Sequence, residues 1–232
     1  MTSNVLRRIV FLTIVGIGAA TQPASAVITD APAPAKPSKI KVETFAGGLD
    51  HPWGMQFLPD GRLLVTERLG RMRLIAKDGR LSPPILEGLP EVAAVGQGGL
   101  LDVLLAPDFE KSHIIYFSYG EPRDEGKNGT SVARAKLVFD GDGGKLDDVK
   151  VIFRQEPPHT GNNHWGSRLV FDSGGNLFVT LGERFDLRDQ AQNPANLLGK
   201  LVHITPDGKP APDNPFLNQK GTRPEIWSIG HP

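Results

Sequence analysis

A tryptophan-led pattern that occurs twice constrains the fold of this chain more than any other feature. Trp53 opens one copy at residues 53–66 and Trp165 opens the other at residues 165–180, and each copy predicts a strand, a tight turn and a second strand. A weaker echo lies between them at residues 100–118. The copies are too far apart to be neighbours in an array of about 40–50 residues per blade, but they suit units two or three blades apart. Such repeats without a helical period predict an all-β fold, a β-propeller that binds ligands at the mouth of its central channel.

The N-terminal residues have the order of an export signal. Arg7 and Arg8 precede an apolar run at residues 9–20, and the small residues Ala24 and Ala26 follow it. An uncleaved anchor is the alternative, but the run is shorter than the ~20 apolar residues of a spanning helix. We expect cleavage after Ala26, a periplasmic or secreted location and no stable membrane insertion afterwards. The predicted domains are a signal peptide at 1–26, a Pro-rich linker at 27–39 and a partial propeller at 40–232, with a first strand at residues 40–45.

Composition narrows the class of protein further. The chain has no cysteine, so its stability must come from its core rather than from disulfides. Lys plus Arg and Asp plus Glu are 26 each and are dispersed, so the basic footprint of a nucleic-acid-binding protein is absent. Glycine at 27 and proline at 20 favour many turns. At about 45 residues per blade, the chain after the signal peptide is enough for four to five blades.

His164 is the leading candidate for chemistry. It lies in a Gly/Asn-rich segment that leads into the apolar strand of the second repeat copy. Histidine titrates nearest to neutral pH, so at a channel mouth it suits a general base. The alternative is a histidine that only bonds a neighbouring carbonyl, and the pattern leaves both interpretations open.

Gln97 is a second candidate because Gly96, Gly98 and Gly99 remove side chains around its amide. A ligand could approach the backbone closely there, with the amide as both donor and acceptor. From the residues alone, a glycine-rich turn with a solvated Gln97 is the favoured interpretation.

Arg184 lies with Arg188 and Asp189 in a polar loop after the second repeat copy. A guanidinium there could clamp a carboxylate, and a surface salt bridge explains these residues equally well. No phosphate-binding loop, nucleophile elbow or paired metal-binding histidines occur in the sequence.

Several short motifs occur together in a specific order. They are HPWG at 51–54, GQGGLLD at 96–102, HWGSRL at 164–169, LGER at 181–184, GKLVHI at 199–204, PDG at 206–208 and DNPF at 213–216. From about His51 onward, the chain therefore resembles the soluble aldose sugar dehydrogenases that depend on pyrroloquinoline quinone (PQQ), also called the glucose/sorbosone dehydrogenase family.

The resemblance implies a six-bladed propeller that holds PQQ at the channel mouth with Ca²⁺ against it. It implies that His164 takes the proton from the anomeric hydroxyl of an aldose while hydride passes to the quinone, giving a lactone. Gln97 would contact quinone and sugar, Asn163 the substrate, and Arg184 the quinone carboxylates. The family's Ca²⁺ ligands come later than Pro232, so no metal ligand is expected within this chain. The electron acceptor is unknown.

The resemblance also implies further blades after Pro232. We therefore expect the chain as given to be an incomplete propeller that is inactive or nearly so. Two alternatives come from other classes: a non-catalytic propeller for binding or scaffolding, and a metal-dependent lactone hydrolase.

Overall fold

The computed structural model describes residues 39–231. The expectations for the signal peptide and nearly all of the linker lie outside the described residues. The chain divides into two units between residues 42 and 43, and every strand of the described residues belongs to the second unit. Among the described residues no helix is long and apolar enough to cross a membrane.

Eleven strands in the described part of the chain form three antiparallel sheets. The first sheet contains β1 (Pro52–Phe57), β2 (Leu63–Glu67) and β3 (Arg71–Ile75). The second contains β4 (Leu100–Leu105), β5 (Ile114–Pro122), β6 (Asn128–Asp140) and β7 (Gly143–Arg154). The third contains β8 (Gly166–Phe171), β9 (Leu177–Leu181), β10 (Lys200–Ile204) and β11 (Ile226–Ile229). Within residues 39–231, helical structure is limited to α1 (Phe109–Ser112) and two 3₁₀ turns, Asp124–Gly126 and Arg188–Gln192.

Each sheet is a simple meander, and the first strands β1, β4 and β8 lie next to one another. This arrangement confirms the predicted β-propeller. The two Trp-led copies are the first hairpins of the first and third sheets, two blades apart, and the echo at 100–118 begins the second sheet.

Two sequence-based expectations were wrong. The chain has three sheets in its described residues rather than four to five blades, because long connections at residues 76–99, 182–199 and 205–225 consume chain outside the ladders. The expected first strand at residues 40–45 is not formed. Ile40 and Val42 are 82% and 88% exposed. An alternating segment becomes a strand only beside a suitable neighbour, which sequence alone does not reveal.

Two apolar layers join the three sheets. Ile115 and Phe117 of β5 face the first sheet, whereas Tyr116 faces the third sheet and packs edge-on against Phe171 at 5.2 Å. The alternation follows from the period of two in a strand. Burying each such side chain contributes about 1.5–3 kcal/mol. These layers take the place of disulfides in holding neighbouring blades together.

A repeated hydrogen-bond device also links the sheets. The register of the first strand slips at a bulge in every sheet, and a hydroxyl of the second strand accepts the peptide N–H that the bulge releases. These bonds run from Gly54 to Thr66, from Asp102 to Ser118 and from Arg168 to Thr180, each at 2.9 Å.

Two of these hydroxyls donate onward to the next sheet. Thr66 Oγ1 donates to the carbonyl of Leu101 at 2.5 Å, and Ser118 Oγ donates to the carbonyl of Ser167 at 2.7 Å. In both cases the acceptor immediately precedes the bulge residue of the next sheet. We call this repeated pattern, centred on Thr66, Ser118 and Thr180, the hydroxyl relay.

Candidate active site

A cavity opens where the first strands of the three sheets begin. Its volume is ≈ 560 Å³, and it is lined by Trp53, Gln97, Leu101, His164, Trp165 and Gly166. Each sheet contributes a residue at or just before the start of its first strand. The geometry therefore brings His164 and Gln97 together where β4 and β8 begin, at the kind of opening in which a propeller binds its ligands.

His164 is held by a buried carboxylate. Its Nδ1 lies 2.7 Å from Oε1 and 2.9 Å from Oε2 of Glu183, whose side chain is 3% exposed. An ionised carboxylate only accepts hydrogen bonds, so Nδ1 carries the proton and Nε2 keeps its lone pair. The imidazole is 35% exposed and packs edge-on against Phe185 at 5.3 Å. The carboxylate and the Phe185 ring therefore fix the orientation of the imidazole.

The β8–β9 hairpin explains why Glu183 meets His164. Gly166 at the start of β8 is the register partner of Leu181 at the end of β9. His164, two positions before β8, therefore lies beside Glu183, two positions after β9. Sequence reasoning missed Glu183 as the partner, although the strand–turn–strand pattern contained the signal.

Gln97, in the connection that leads into β4, fixes the backbone of His164. The side-chain Oε1 of Gln97 accepts a hydrogen bond from the peptide N–H of His164 at 2.9 Å. The peptide N–H of Gln97 donates to the carbonyl of Asn162, also at 2.9 Å. The amide oxygen is thus committed to the protein. The side-chain NH₂ remains available at the cavity as a donor.

Trp165 fills the space beside Gly98 that a ligand could have approached according to the sequence, where a glycine-rich turn with a solvated Gln97 was the favoured interpretation. A Cβ on Gly98 would lie 2.4 Å from the Trp165 ring, so only glycine fits beneath the indole. The ring is 3% exposed, and its Nε1 donates to the carbonyl of Asn162 at 2.9 Å. Gly98 therefore leaves room for the Trp165 indole, which forms one wall of the cavity.

Arg184 lies behind that wall. Its guanidinium is 3.9 Å from the Trp165 ring and donates to Asn128, Gly161 and the carbonyl of Asn163. The residue is 1% exposed, and burial lowers its pKa to about 10. Within residues 39–231 no carboxylate pairs with it, so it leaves an uncompensated positive charge beside the site.

The other residues singled out in the sequence have different surroundings. The side chain of Asn163 is exposed directly before His164. Arg188 lies over the Phe185 ring at 4.5 Å and donates to the Phe185 carbonyl at 3.0 Å, which fastens the far side of the loop.

Backbone strain is concentrated here. His164, Ser167, Arg184 and Phe185 all have positive φ, at +48°, +89°, +68° and +65°. Non-glycine residues rarely adopt this conformation, and clusters of them are typical of functional sites. His164 is itself one of these residues, and Arg184 and Phe185 directly follow its partner Glu183.

The comparisons with known proteins agree with this geometry. The family model described as Glucose / Sorbosone dehydrogenase matches residues 49–232. The chain belongs to the glucose/sorbosone dehydrogenase family. It is 47% identical over 197 residues to the aldose sugar dehydrogenase YliI of Escherichia coli (strain K12), a match that covers 84% of this chain and 52% of that protein.

Solved structures of relatives have the same fold. A glucose dehydrogenase crystal structure is 49% identical with a TM-score of 0.78, over 83% of this chain and 55% of that one. The PQQ-bound form of an aldose sugar dehydrogenase from Streptomyces coelicolor is 33% identical with a TM-score of 0.71, over 85% of this chain and 56% of that one. The chain thus spans about half the length of the relatives that it matches.

Family membership does not by itself supply a metal site here. Among the described residues no three His, Cys, Asp or Glu side chains are grouped so as to hold a metal ion. Charged groups near the cavity include the His164–Glu183 pair, Arg184 behind Trp165, and Arg168, whose guanidinium lies 4.3 Å from the Trp53 ring.

Proposed function

We propose that this chain contributes the base half of a sugar dehydrogenase site that oxidises an aldose at its anomeric carbon with PQQ as hydride acceptor. The observation that carries the proposal is the His164–Glu183 pair, which lines the cavity with one ring nitrogen still basic. The relatives named aldose sugar dehydrogenase and the PQQ-bound relative support this choice of substrate class and cofactor.

The residues present fit a flat, anionic cofactor. The cavity has two indole walls, Trp53 and Trp165. Gln97 offers a free amide donor, and the buried charge of Arg184 behind Trp165 attracts an anion. Trp53, Trp165 and Gln97 would hold the quinone. Arg184, on the other side of the Trp165 indole, would attract its negative charge. When bound, PQQ accepts the two electrons that leave the sugar as hydride.

His164 performs the proton chemistry of the proposed reaction. Its Nε2 takes the proton of the anomeric hydroxyl as the C–H bond breaks, and the product is a lactone. Glu183 holds the ring in the required tautomer and stabilises the imidazolium that forms. Phe185 packs against the ring and limits its rotation. Asn163, exposed beside His164, is proposed to contact the sugar.

A Ca²⁺ ion beside the quinone belongs to the same proposal. The cation would polarise a carbonyl oxygen and offset negative charge that develops there. Its ligands are proposed to lie in a longer version of the chain, because the described residues do not group the required side chains.

The test uses the chain extended with the remaining half of the E. coli aldose sugar dehydrogenase, called the extended chain below. PQQ should quench the fluorescence of Trp53 and Trp165, and aldose should then reduce a dye acceptor. Trp227→Phe is the matched control, because Trp227 lies in β11 away from the cavity. Quenching that depends on Trp227 alone, or no aldose-dependent dye reduction, would refute the proposal.

We also propose that the protein is exported to the periplasm with cleavage after Ala26, as its N-terminal residue order predicts. Mass spectrometry of periplasmic material should find Val27 as the first residue. A membrane-embedded form that still begins at Met1 would contradict this.

A further inference from the structure

Three glycines surround Gln97 in residues 96–99, which we call the Gln97 turn. The space that each glycine leaves is filled by a residue from another part of the chain, and a Cβ at any of the three would overlap that residue. The pairs are Gly96 with Asn162, Gly98 with Trp165 and Gly99 with Arg68. Asn162 and Trp165 lie beside His164 in the sequence, whereas Arg68 directly follows β2. The first sheet therefore takes part in shaping the Gln97 turn.

The guanidinium of Arg68 holds this turn. Its Nη1 donates to the carbonyl of Gly96 and to the carbonyl of Gly98, the latter at 3.4 Å. Nη1 carries two N–H groups, so it can serve both carbonyls at once. One side chain of the first sheet thus bonds the backbone on either side of Gln97.

The backbone of Arg68 is fixed by other bonds. Its N–H donates to the carbonyl of His51 at 3.0 Å, and its carbonyl accepts from the N–H of Leu100 at 2.9 Å. Two residues earlier, Thr66 of the hydroxyl relay bonds the carbonyl of Leu101. These bonds join the end of β2 to the start of β4 and do not involve the Arg68 side chain. A change of that side chain should therefore leave the sheets in place.

The Gln97 turn in turn holds the backbone of His164. The side-chain Oε1 of Gln97 accepts from the peptide N–H of His164, and the Gln97 N–H donates to the carbonyl of Asn162. His164 has a positive φ of +48°, a conformation that persists in a non-glycine residue only where the surroundings enforce it. Displacing the amide of Gln97 would remove one of the bonds that enforce it.

We propose that Arg68 is a positioning residue for the base. It holds Gln97 where the amide bonds the backbone of His164, so a residue of the first sheet sets the geometry of the base at the third sheet. Arg68 acts through Gln97 rather than on the sugar. Its effect on turnover rests on the proposed function, whereas the bond between Gln97 and His164 forms without cofactor or sugar.

Hydrogen exchange of the His164 amide tests the positioning directly, in the purified chain without quinone or sugar. Arg68→Met keeps an unbranched side chain but removes the donors, so exchange at His164 should become roughly 3- to 10-fold faster, as expected for the loss of one hydrogen bond. The Arg168 amide bonds Thr180 within the third sheet and is the internal reference, which should not change. Arg68→Lys keeps the charge and one ammonium donor, and its exchange rate should lie between wild type and Arg68→Met.

Arg80→Met is the matched control. Arg80 also connects the first sheet to the second, because its Nη1 lies 2.5 Å from Asp142 in the turn between β6 and β7. It does not line the cavity. Loss of this arginine should leave exchange at both reference and His164 amides unchanged.

Turnover of the extended chain tests whether Arg68 acts through Gln97. Arg68→Met should lower turnover roughly 3- to 10-fold, and Gln97→Ala should lower it at least as much. The double variant should be no slower than Gln97→Ala, because Arg68 then has no amide left to position. Arg80→Met should keep wild-type turnover.

Three results would overturn the proposal. They are unchanged exchange at His164 in Arg68→Met, an equal acceleration at His164 and Arg168, and additive losses of turnover in the double variant. The second result would show that Arg68 only stabilises the fold. If the extended chain oxidises no aldose at all, the proposed function fails, whereas the exchange comparison still decides whether Arg68 positions Gln97.

Discussion

Four histidines contact carboxylates in the part of the chain that the structure describes, and a comparison of His164 with His203 separates two roles. His164 bonds Glu183 through one ring nitrogen, is 35% exposed and faces the cavity. His203 is 1% exposed, with Nε2 2.8 Å from Asp172 and Nδ1 3.1 Å from Asn214, and it stacks on Phe178 at 4.1 Å. A histidine that bonds a carboxylate can therefore act as a base only where its second ring nitrogen stays open. Where both ring nitrogens are bonded, as in His203, the residue stabilises the fold.

The largest expected effect comes from removing His164. In the extended chain, His164→Ala should lower turnover roughly 10²–10⁴-fold, because no other group at the cavity can take the proton. PQQ binding, followed by indole fluorescence, should change little, and so should the unfolding midpoint. Unchanged turnover would assign the base to another residue.

Replacing Glu183, the partner of His164, should lower turnover by a smaller factor. Glu183→Gln keeps a hydrogen bond to the ring but removes the charge that stabilises the imidazolium, so turnover should fall roughly 10- to 100-fold. Glu183→Asp is the matched control and should recover part of the loss. A fall in stability without any loss of turnover would show that Glu183 only supports the loop.

Replacing His203 should lower stability and leave turnover almost unchanged, the reverse of the expectation for His164. His203→Ala removes the imidazole that bonds Asp172 and Asn214 and should lower the free energy of unfolding by about 1–3 kcal/mol. Turnover of the folded extended chain should stay within a few-fold of wild type. Guanidinium unfolding and a dye assay on the same sample measure both quantities, and a loss of turnover comparable with that of His164→Ala would erase the distinction.

The last expected effect is confined to the pH dependence of stability and concerns the loop that follows Glu183. The Lys200 ammonium is fully buried and donates to the carbonyls of Gln190 and Ala191, each at 3.0 Å, and of Leu198. Burial lowers its pKa to about 8 from 10.5. Between these two pH values the unfolded chain holds more protons, so Lys200 makes stability rise with pH through this window.

Lys200→Met removes this contribution. The difference in unfolding free energy between wild type and Lys200→Met should therefore grow in favour of wild type from pH about 8 to about 10.5. The measurement is a pair of denaturant titrations at each pH, which cancels the titration of other groups. A difference that is flat across this window would show that Lys200 titrates near its ordinary value.

The fold could be predicted from sequence where the pattern is local. The hairpins of the first and third sheets follow from alternating apolar residues around turns such as Pro59-Asp60-Gly61. The number of sheets could not be predicted, since it depends on how much chain the connections use. The expected strand at 40–45 failed for a related reason: its formation depends on a neighbouring strand.

The site was predictable to the extent that it sits at strand ends. His164 and Gln97 lie together because β4 and β8 are adjacent first strands, as a propeller requires. The burial of Arg184 behind Trp165 could not be foreseen, because it depends on Gly98 receiving the indole from another sheet. Its predicted role toward the quinone carboxylates stays a prediction.

Chemical rescue tests the central claim most directly. The extended chain with His164→Ala is assayed for aldose-dependent dye reduction in increasing imidazole, with Glu183→Gln as the parallel sample. If His164 supplies the base, imidazole should restore turnover of His164→Ala with saturation and leave Glu183→Gln unchanged. Absence of rescue in a variant that still binds both quinone and sugar would contradict the assignment of His164 as the base.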